Sequence, residues 1–149
     1  KKKNMTVVVN PAPAKEIPDK ILNKIDYLVL NQSESELLTK IYPESQMECN
    51  SVVSKLRKYG VKNIIITLGK EGAYYAVDNL EGLVPTIDVE VVDTTGAGDT
   101  FIGMLVFGLW KGYEIKDVIK YSVVAGALAC TKENAHDYVP TLREIEEEL

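Results

Sequence analysis

The stretch Asp93-Thr94-Thr95-Gly96-Ala97-Gly98-Asp99-Thr100 sets two glycines beside an aspartate, at the start of a long apolar run. Two glycines in three positions let a backbone turn sharply and bring its amide N–H groups close to a ligand. Val89, Val91 and Val92 before it form a β-branched, strand-like approach. Residues 101–110 after it are apolar at nearly every position, lack proline and are long enough for a helix. A helix beginning near Gly98 aims free N–H groups and the positive end of its dipole at the turn, which suits an anion such as a phosphate. Asp99 then has two readings. As a helix cap it contributes about 1 kcal/mol; as a base it takes a proton from a hydroxyl while the neighbouring amides stabilise the oxyanion. The residues alone leave both open. No Gly-Lys-Ser/Thr follows, as a Walker loop requires, and the spacing is not that of a G-x-G-x-x-G dinucleotide turn.

The elements that must position this stretch can be read along the chain. Residues 6–9 are a strand, stopped by the two prolines of Asn10-Pro11-Ala12-Pro13-Ala14. Residues 17–25 carry apolar side chains at helical spacing, opened by Pro18 and Asp19. A buried strand over 27–30 delivers Asn31-Gln32-Ser33-Glu34 to a strand end, where α/β sheets place ligands. On residue types alone, Asn31 or Ser33 there caps a helix over 34–41. A second helix over 44–59 shows Met47, Val52, Val53, Leu56 and Tyr59 on one face, with Gly60 where a helix end wants positive φ. Residues 64–68 form a central, parallel strand leading into Thr67-Leu68-Gly69-Lys70-Glu71-Gly72-Ala73, and 74–77 and 83–85 are short antiparallel strands about a turn over 78–82. Lys111-Gly112 ends the apolar helix. Residues 115–130 make the next, whose Ala125, Gly126, Ala127 and Ala129 allow close packing. Thr141 caps a last helix to residue 149, with Glu144 completing a capping box. His136, in the loop between, has no nucleophile paired with it in the sequence. The alternation predicts an α/β fold, a three-layer αβα sandwich with a mostly parallel sheet.

Composition narrows the function. At 149 residues, 46% hydrophobic and 26% charged, the chain is that of an ordinary globular domain. A net charge of −5 argues against non-specific nucleic-acid binding, and Lys1 to Lys3 read as a solvated end. The longest apolar run falls well short of the ~20 residues that span a bilayer. Cys49 and Cys130 are too few and too far apart for a disulfide framework or a metal site. With no secretory pattern at its start, the chain is expected in the cytoplasm.

Asp93 to Phe101, Asp-Thr-Thr-Gly-Ala-Gly-Asp-Thr-Phe, resembles the C-terminal signature of the ribokinase-like (PfkB) carbohydrate kinases. The resemblance implies transfer of the γ-phosphoryl of ATP to a sugar hydroxyl by in-line attack, with magnesium bridging phosphates. It makes Asp99 the base, and Gly96, Ala97 and Gly98 with the Asp99 amide the anion hole. Asn31 and Glu34 match the family's Asn-x-x-Glu motif, which organises magnesium and phosphate largely through water, although Gln32 stands where many relatives have an acidic residue. Thr67-Leu68-Gly69 with Gly72 resembles the family's Thr-Leu-Gly-x-x-Gly turn; Thr67 and Gly69 would face the nucleotide, and Gly72 would allow the reversal into the next strand. Residues 10–14 resemble the Asn-Pro-Ala-Pro-Ala of the ribokinase branch, which favours ribose. Potassium-activated relatives match at Asp93, Thr95, Ala129, Lys132, Asn134 and Tyr138, with two departures: Asn134 stands where glycine is common, and Tyr138 where a small hydroxyl residue is common.

The resemblance runs along essentially the whole chain but matches only the C-terminal half of such a kinase. The sugar-recognition segment and lid belong to the other half, and no Gly-Gly-x-Gly-x-Asn pattern occurs. The expectation is therefore a fragment: residues 1–149 as one domain, the nucleotide-binding half, with an N-terminal half or a second chain covering an exposed sheet edge. ATP and a small sugar are the expected ligands, with no nucleic acid and no membrane. Two rivals stand beside this, a non-catalytic nucleotide-binding or interaction module and a purely structural partner subunit.

Overall fold

The computed structural model describes residues 5–13, 15–133 and 138–149. They fall into two compact units, Lys1–Gly69 with Ala73–Leu83, and Lys70–Gly72 with Val84–Leu149.

The first unit carries the sheet. Its strands are β1 (Val8–Val9), β2 (Tyr27–Asn31), β3 (Asn63–Thr67), β4 (Ala73–Val77) and β5 (Leu80–Val84), in that spatial order. β1 pairs parallel with β2 and β2 parallel with β3, while β4 runs antiparallel to β3. The expected α/β class with a mostly parallel sheet is what forms, and β3 is central, though parallel on one side only. Continuous β-branched and leucine runs make these strands: Leu28, Val29 and Leu30, like Ile64, Ile65 and Ile66, are buried on both faces. Helices α1 (Asp19–Leu22), α2 (Gln32–Thr39) and α3 (Gln46–Lys58) connect them. One core joins Leu28, Leu30, Ile64 and Ile66 to Cys49, Val52, Val53 and Leu56 of α3.

Several boundaries differ from the sequence expectation. α1 is one turn rather than the stretch 17–25, because Pro18 occupies its N-cap and the chain leaves the helix at Asn23. The face of α3 is built on Cys49, not Met47, which is 78% exposed, and Tyr59 is exposed as well. Gly60 does take positive φ, 89°. The turn after β4 is only Asp78-Asn79, with Asp78 in the left-handed region (φ 52°), so β5 begins at Leu80.

The second unit is helical, with α4 (Ala97–Lys111), α5 (Ile115–Ala129) and α6 (Leu142–Glu147). Small residues set its close packing: a Cβ on Gly108 would sit 2.9 Å from Val118 Cγ2, and one on Gly126 would sit 3.3 Å from the Ala97 carbonyl. The expected close approach of α5 is therefore real, and it fixes the first turn of α4. Thr141 and Glu144 form the expected capping box on α6. The valine-rich approach to α4 is not a strand. Val91 and Val92 are exposed, and the Val92 and Asp93 amides both donate to the Cys130 carbonyl, at 2.8 and 3.1 Å, instead of to a sheet.

Candidate functional site

α4 begins at Gly96, whose φ of 79° is open to glycine and strained for other residues. This overturns the reading of Asp99 as a cap: the N-cap is Gly96, no side chain caps the helix, and Asp99 stands three residues inside it. The Thr95 amide donates to Asp93 Oδ1 at 2.9 Å, Ala97 N to Thr94 O at 3.3 Å, and Thr100 N to Gly96 O at 2.9 Å. Between them, the amides of Gly98 and Asp99 find no acceptor among the described residues, as the first turn of a helix dictates. A Cβ on Gly98 would meet nothing within 4 Å, and its φ is not left-handed. Neither its conformation nor packing among the described residues requires that glycine. What its absent side chain leaves is room against two free donors.

The Asp99 carboxylate is exposed and makes no hydrogen bond or ion pair among the described residues. It opens onto a cleft of about 540 Å³, also lined by Thr100, Gly103, Met104, Phe107, Val139 and Leu142. Gly103 again has open space where a Cβ would stand. Sequence reasoning missed this residue. Its signal was a glycine inside an otherwise apolar helix, a position where glycine costs about 1 kcal/mol relative to alanine.

In the sheet unit, Asn31 and Thr67 lie side by side at the ends of β2 and β3, paired in register. Thr67 Oγ1 donates to the Leu30 carbonyl at 3.4 Å. Asn31 caps α2: its Oδ1 accepts from Glu34 N at 2.8 Å, and Glu34 Oε2 accepts from Asn31 N at 2.9 Å. The helix-cap reading of this pair is thus geometrically real, but it engages only one oxygen of the carboxylate. Glu34 is 3% exposed and has no basic partner among the described residues. Buried charges are ordinarily paired or bound to a metal; Glu34 Oε1 has no partner among the described residues and is not closed off from solvent. Asn10, absent from the sequence-based candidates, donates from Nδ2 to Glu34 Oε2 at 3.2 Å.

Gly69 takes φ 57° with open space at its Cβ position, whereas Gly72 takes φ 96° and a Cβ there would lie 2.0 Å from the Val84 carbonyl. Gly72 is needed by the backbone itself. Of the positions matched to a monovalent cation, the bonds from Val92 and Asp93 to Cys130 O tie the Asp93–Thr95 segment to the end of α5, where Ala129 is buried. Lys132 places its ammonium 5.8 Å from the ring of Tyr138, whose hydroxyl donates to Glu144 Oε1 at 3.2 Å. Burial, then Glu144, raises the Tyr138 pKa. Burial, then Asp93, raises that of the Cys130 thiol. Asn134 and His136 lie outside the described residues. Among the described residues no cluster of three or more His, Cys, Asp or Glu side chains could hold a metal, and no helix is long and apolar enough to cross a membrane.

Comparison with known proteins adds four likenesses. A model of the pfkB family carbohydrate kinases matches residues 1–142. The chain is 37% identical over 142 residues to the ribokinase of Staphylococcus aureus, covering 95% of this chain and 47% of that protein. Its fold superposes on Arabidopsis thaliana ribokinase, solved with ribose and ATP, with a TM-score of 0.89 at 26% identity, covering 95% of this chain and 46% of that one. A putative ribokinase II from E. coli, solved with ATP and Mg2+, gives a TM-score of 0.75 at 30% identity, covering 87% and 40%. The chain spans about half the length of the relatives it matches.

Proposed function

Since this chain belongs to the pfkB family of carbohydrate kinases, we propose that it is the nucleotide-binding half of an ATP-dependent sugar kinase, with ribose as the preferred acceptor. The observation that carries the proposal is the start of α4, where two amides without acceptors among the described residues adjoin a glycine that packing among those residues does not need. The Gly98 and Asp99 amides, with Gly96 and Ala97 shaping the turn, hold the transferred phosphoryl group. The Asp99 carboxylate takes the proton of the attacking sugar hydroxyl. The mostly apolar cleft beside it takes the nucleoside. A donor of this kind is worth about 2.7–4 kcal/mol of barrier.

Thr67 and Gly69 contact the nucleotide, and Glu34 with Asn31 orders magnesium, mostly through water. The fit rests on Glu34, a largely buried carboxylate with no basic partner among the described residues, whose Oε2 is held by two donors while Oε1 stays open to solvent. Magnesium supplies charge neutralisation on the phosphates; the chain supplies orientation and the base. A monovalent cation, potassium, would be held by main-chain oxygens of the matched positions Asp93, Thr95, Ala129, Lys132, Asn134 and Tyr138, of which Asn134 lies outside the described residues. The ribokinase relatives and the match at residues 10–14 support ribose as the acceptor.

Sugar recognition needs segments that the relatives carry beyond the matched half. β1 ends the sheet with one edge unpaired among the described residues, and an N-terminal half or a second chain covers it. That half-length match favours a second reading, in which this chain alone binds nucleotide and does not turn it over. Calorimetric titration with magnesium-ATP, followed by an ADP-release assay over a sugar panel with and without potassium, tests both. Binding with release for ribose supports the kinase, binding without release the second reading, and no binding overturns both.

A further inference from the structure

The geometry points to Asn10 as a positioning residue that holds the Glu34 carboxylate in the orientation its proposed magnesium role requires. β1 pairs with β2 through Val8↔Tyr27 and Val9↔Leu28. Continuing that register would bring residue 10 to Val29, but the following Pro11 has no N–H to give, so the ladder stops there. The Asn10 side chain takes over. Its Nδ2 donates one hydrogen to the Val29 carbonyl at 3.0 Å and the other to Glu34 Oε2 at 3.2 Å. A side-chain amide has two N–H donors on one nitrogen, and both are spent.

The second bond has a consequence for the carboxylate. Glu34 Oε2 already accepts from the Asn31 amide at 2.9 Å. With Asn10 added, that oxygen is held from two directions, one from α2's own N-terminus and one from the loop after β1. Oε1 has no partner among the described residues and remains the oxygen available to a hydrated cation. An Asn31–Glu34 capping box alone would leave the carboxylate free to rotate about its one bond. Asn10 removes that freedom, and its own place is fixed by the Val29 carbonyl. Outer partners that orient a metal-binding carboxylate typically change metal affinity 10–100-fold when removed.

This inference rests on the proposed role of Glu34, and the test separates the two. Asn10→Leu keeps the approximate volume and deletes both donors; Glu34→Gln removes the charge. Nucleotide binding is titrated against magnesium concentration for the chain, each single variant and the double variant, with a thermal melt of each. The expected result is a rise of at least about tenfold in the magnesium concentration giving half-maximal effect for Asn10→Leu. ATP affinity at saturating magnesium should change far less. The double variant should match Glu34→Gln alone, because Asn10 acts only through that carboxylate. A residue that merely supports the loop would lower the melting temperature and ATP affinity without moving the magnesium dependence. An unchanged magnesium dependence in Asn10→Leu, or full additivity with Glu34→Gln, would overturn the positioning role and leave the proposed function standing. An unaltered chain that binds nucleotide independently of magnesium would overturn both.

Discussion

Replacing Gly98 by alanine separates what the fold needs from what the proposed phosphate site needs. A Cβ at this position meets nothing within 4 Å, and the residue's φ is not left-handed. Nothing among the described residues therefore opposes a methyl group, and alanine is favoured over glycine in a helix by up to about 1 kcal/mol. For a chain of this size that is a rise of roughly 2–4 °C in melting temperature. The same methyl would project into the space where a phosphoryl oxygen must approach the free amides. Losing a hydrogen bond to a charged group costs about 1.5–3 kcal/mol, so the dissociation constant for magnesium-ATP should rise about 10- to 150-fold. Differential scanning calorimetry and isothermal titration of the same preparation read both numbers. A variant that is equally or more stable but binds nucleotide poorly is the expected outcome. Unchanged binding would refute the cradle, and a loss of stability would show that the fold itself requires this glycine.

Gly72→Ala should behave in the opposite way, because φ 96° and a Cβ 2.0 Å from the Val84 carbonyl cost at least about 2 kcal/mol; chemical denaturation would show it. Ser45→Ala removes the side chain that caps α3 through Glu48 N and should cost about 1 kcal/mol, read from the urea midpoint. The backbone N–H of Thr141, then its hydroxyl, holds the Glu144 carboxyl below its ordinary range. Its contribution is present above the unfolded pKa and is lost as pH falls through the depressed folded value, so the difference in melting temperature between the chain and Glu144→Gln should shrink from about pH 5 towards pH 3. Burial, then Glu48, pushes the Cys49 thiol up to about 11. Iodoacetamide at neutral pH should therefore modify Cys49 only after unfolding, as mass spectrometry of the intact chain would report.

The parts of the structure legible in the sequence are those with strong local physics. The β-branched runs of β2 and β3, the capping residues Thr141 and Glu144, and Gly60 and Gly112 at helix ends each follow from their own residues. What was not legible depends on partners distant in sequence. Val89 to Val92 have strand composition, yet the Cys130 carbonyl, not a neighbouring strand, takes the Val92 and Asp93 amides. Met47 has the spacing of a core residue, but Cys49 two positions later packs inward in its place. The signature loop was readable as a glycine turn opening a helix. That Gly96, not Asp99, is the cap depends on a backbone angle that residue types leave open. Asn10 stood in the Asn-Pro-Ala-Pro-Ala match, which marked a branch of the family but gave the side chain no role; only the approach of α2 to the end of β1 gives its amide a carboxylate to hold.

The central claim is that the first turn of α4 binds the phosphates of a nucleotide. A titration of the 15N-labelled chain with magnesium-ATP, followed through its amide resonances, tests it most directly. Saturable shifts largest at Gly98 and Asp99, and lost in Gly98→Ala, are the predicted result. Saturable binding that leaves those two amides unmoved, or no binding at all, would contradict it.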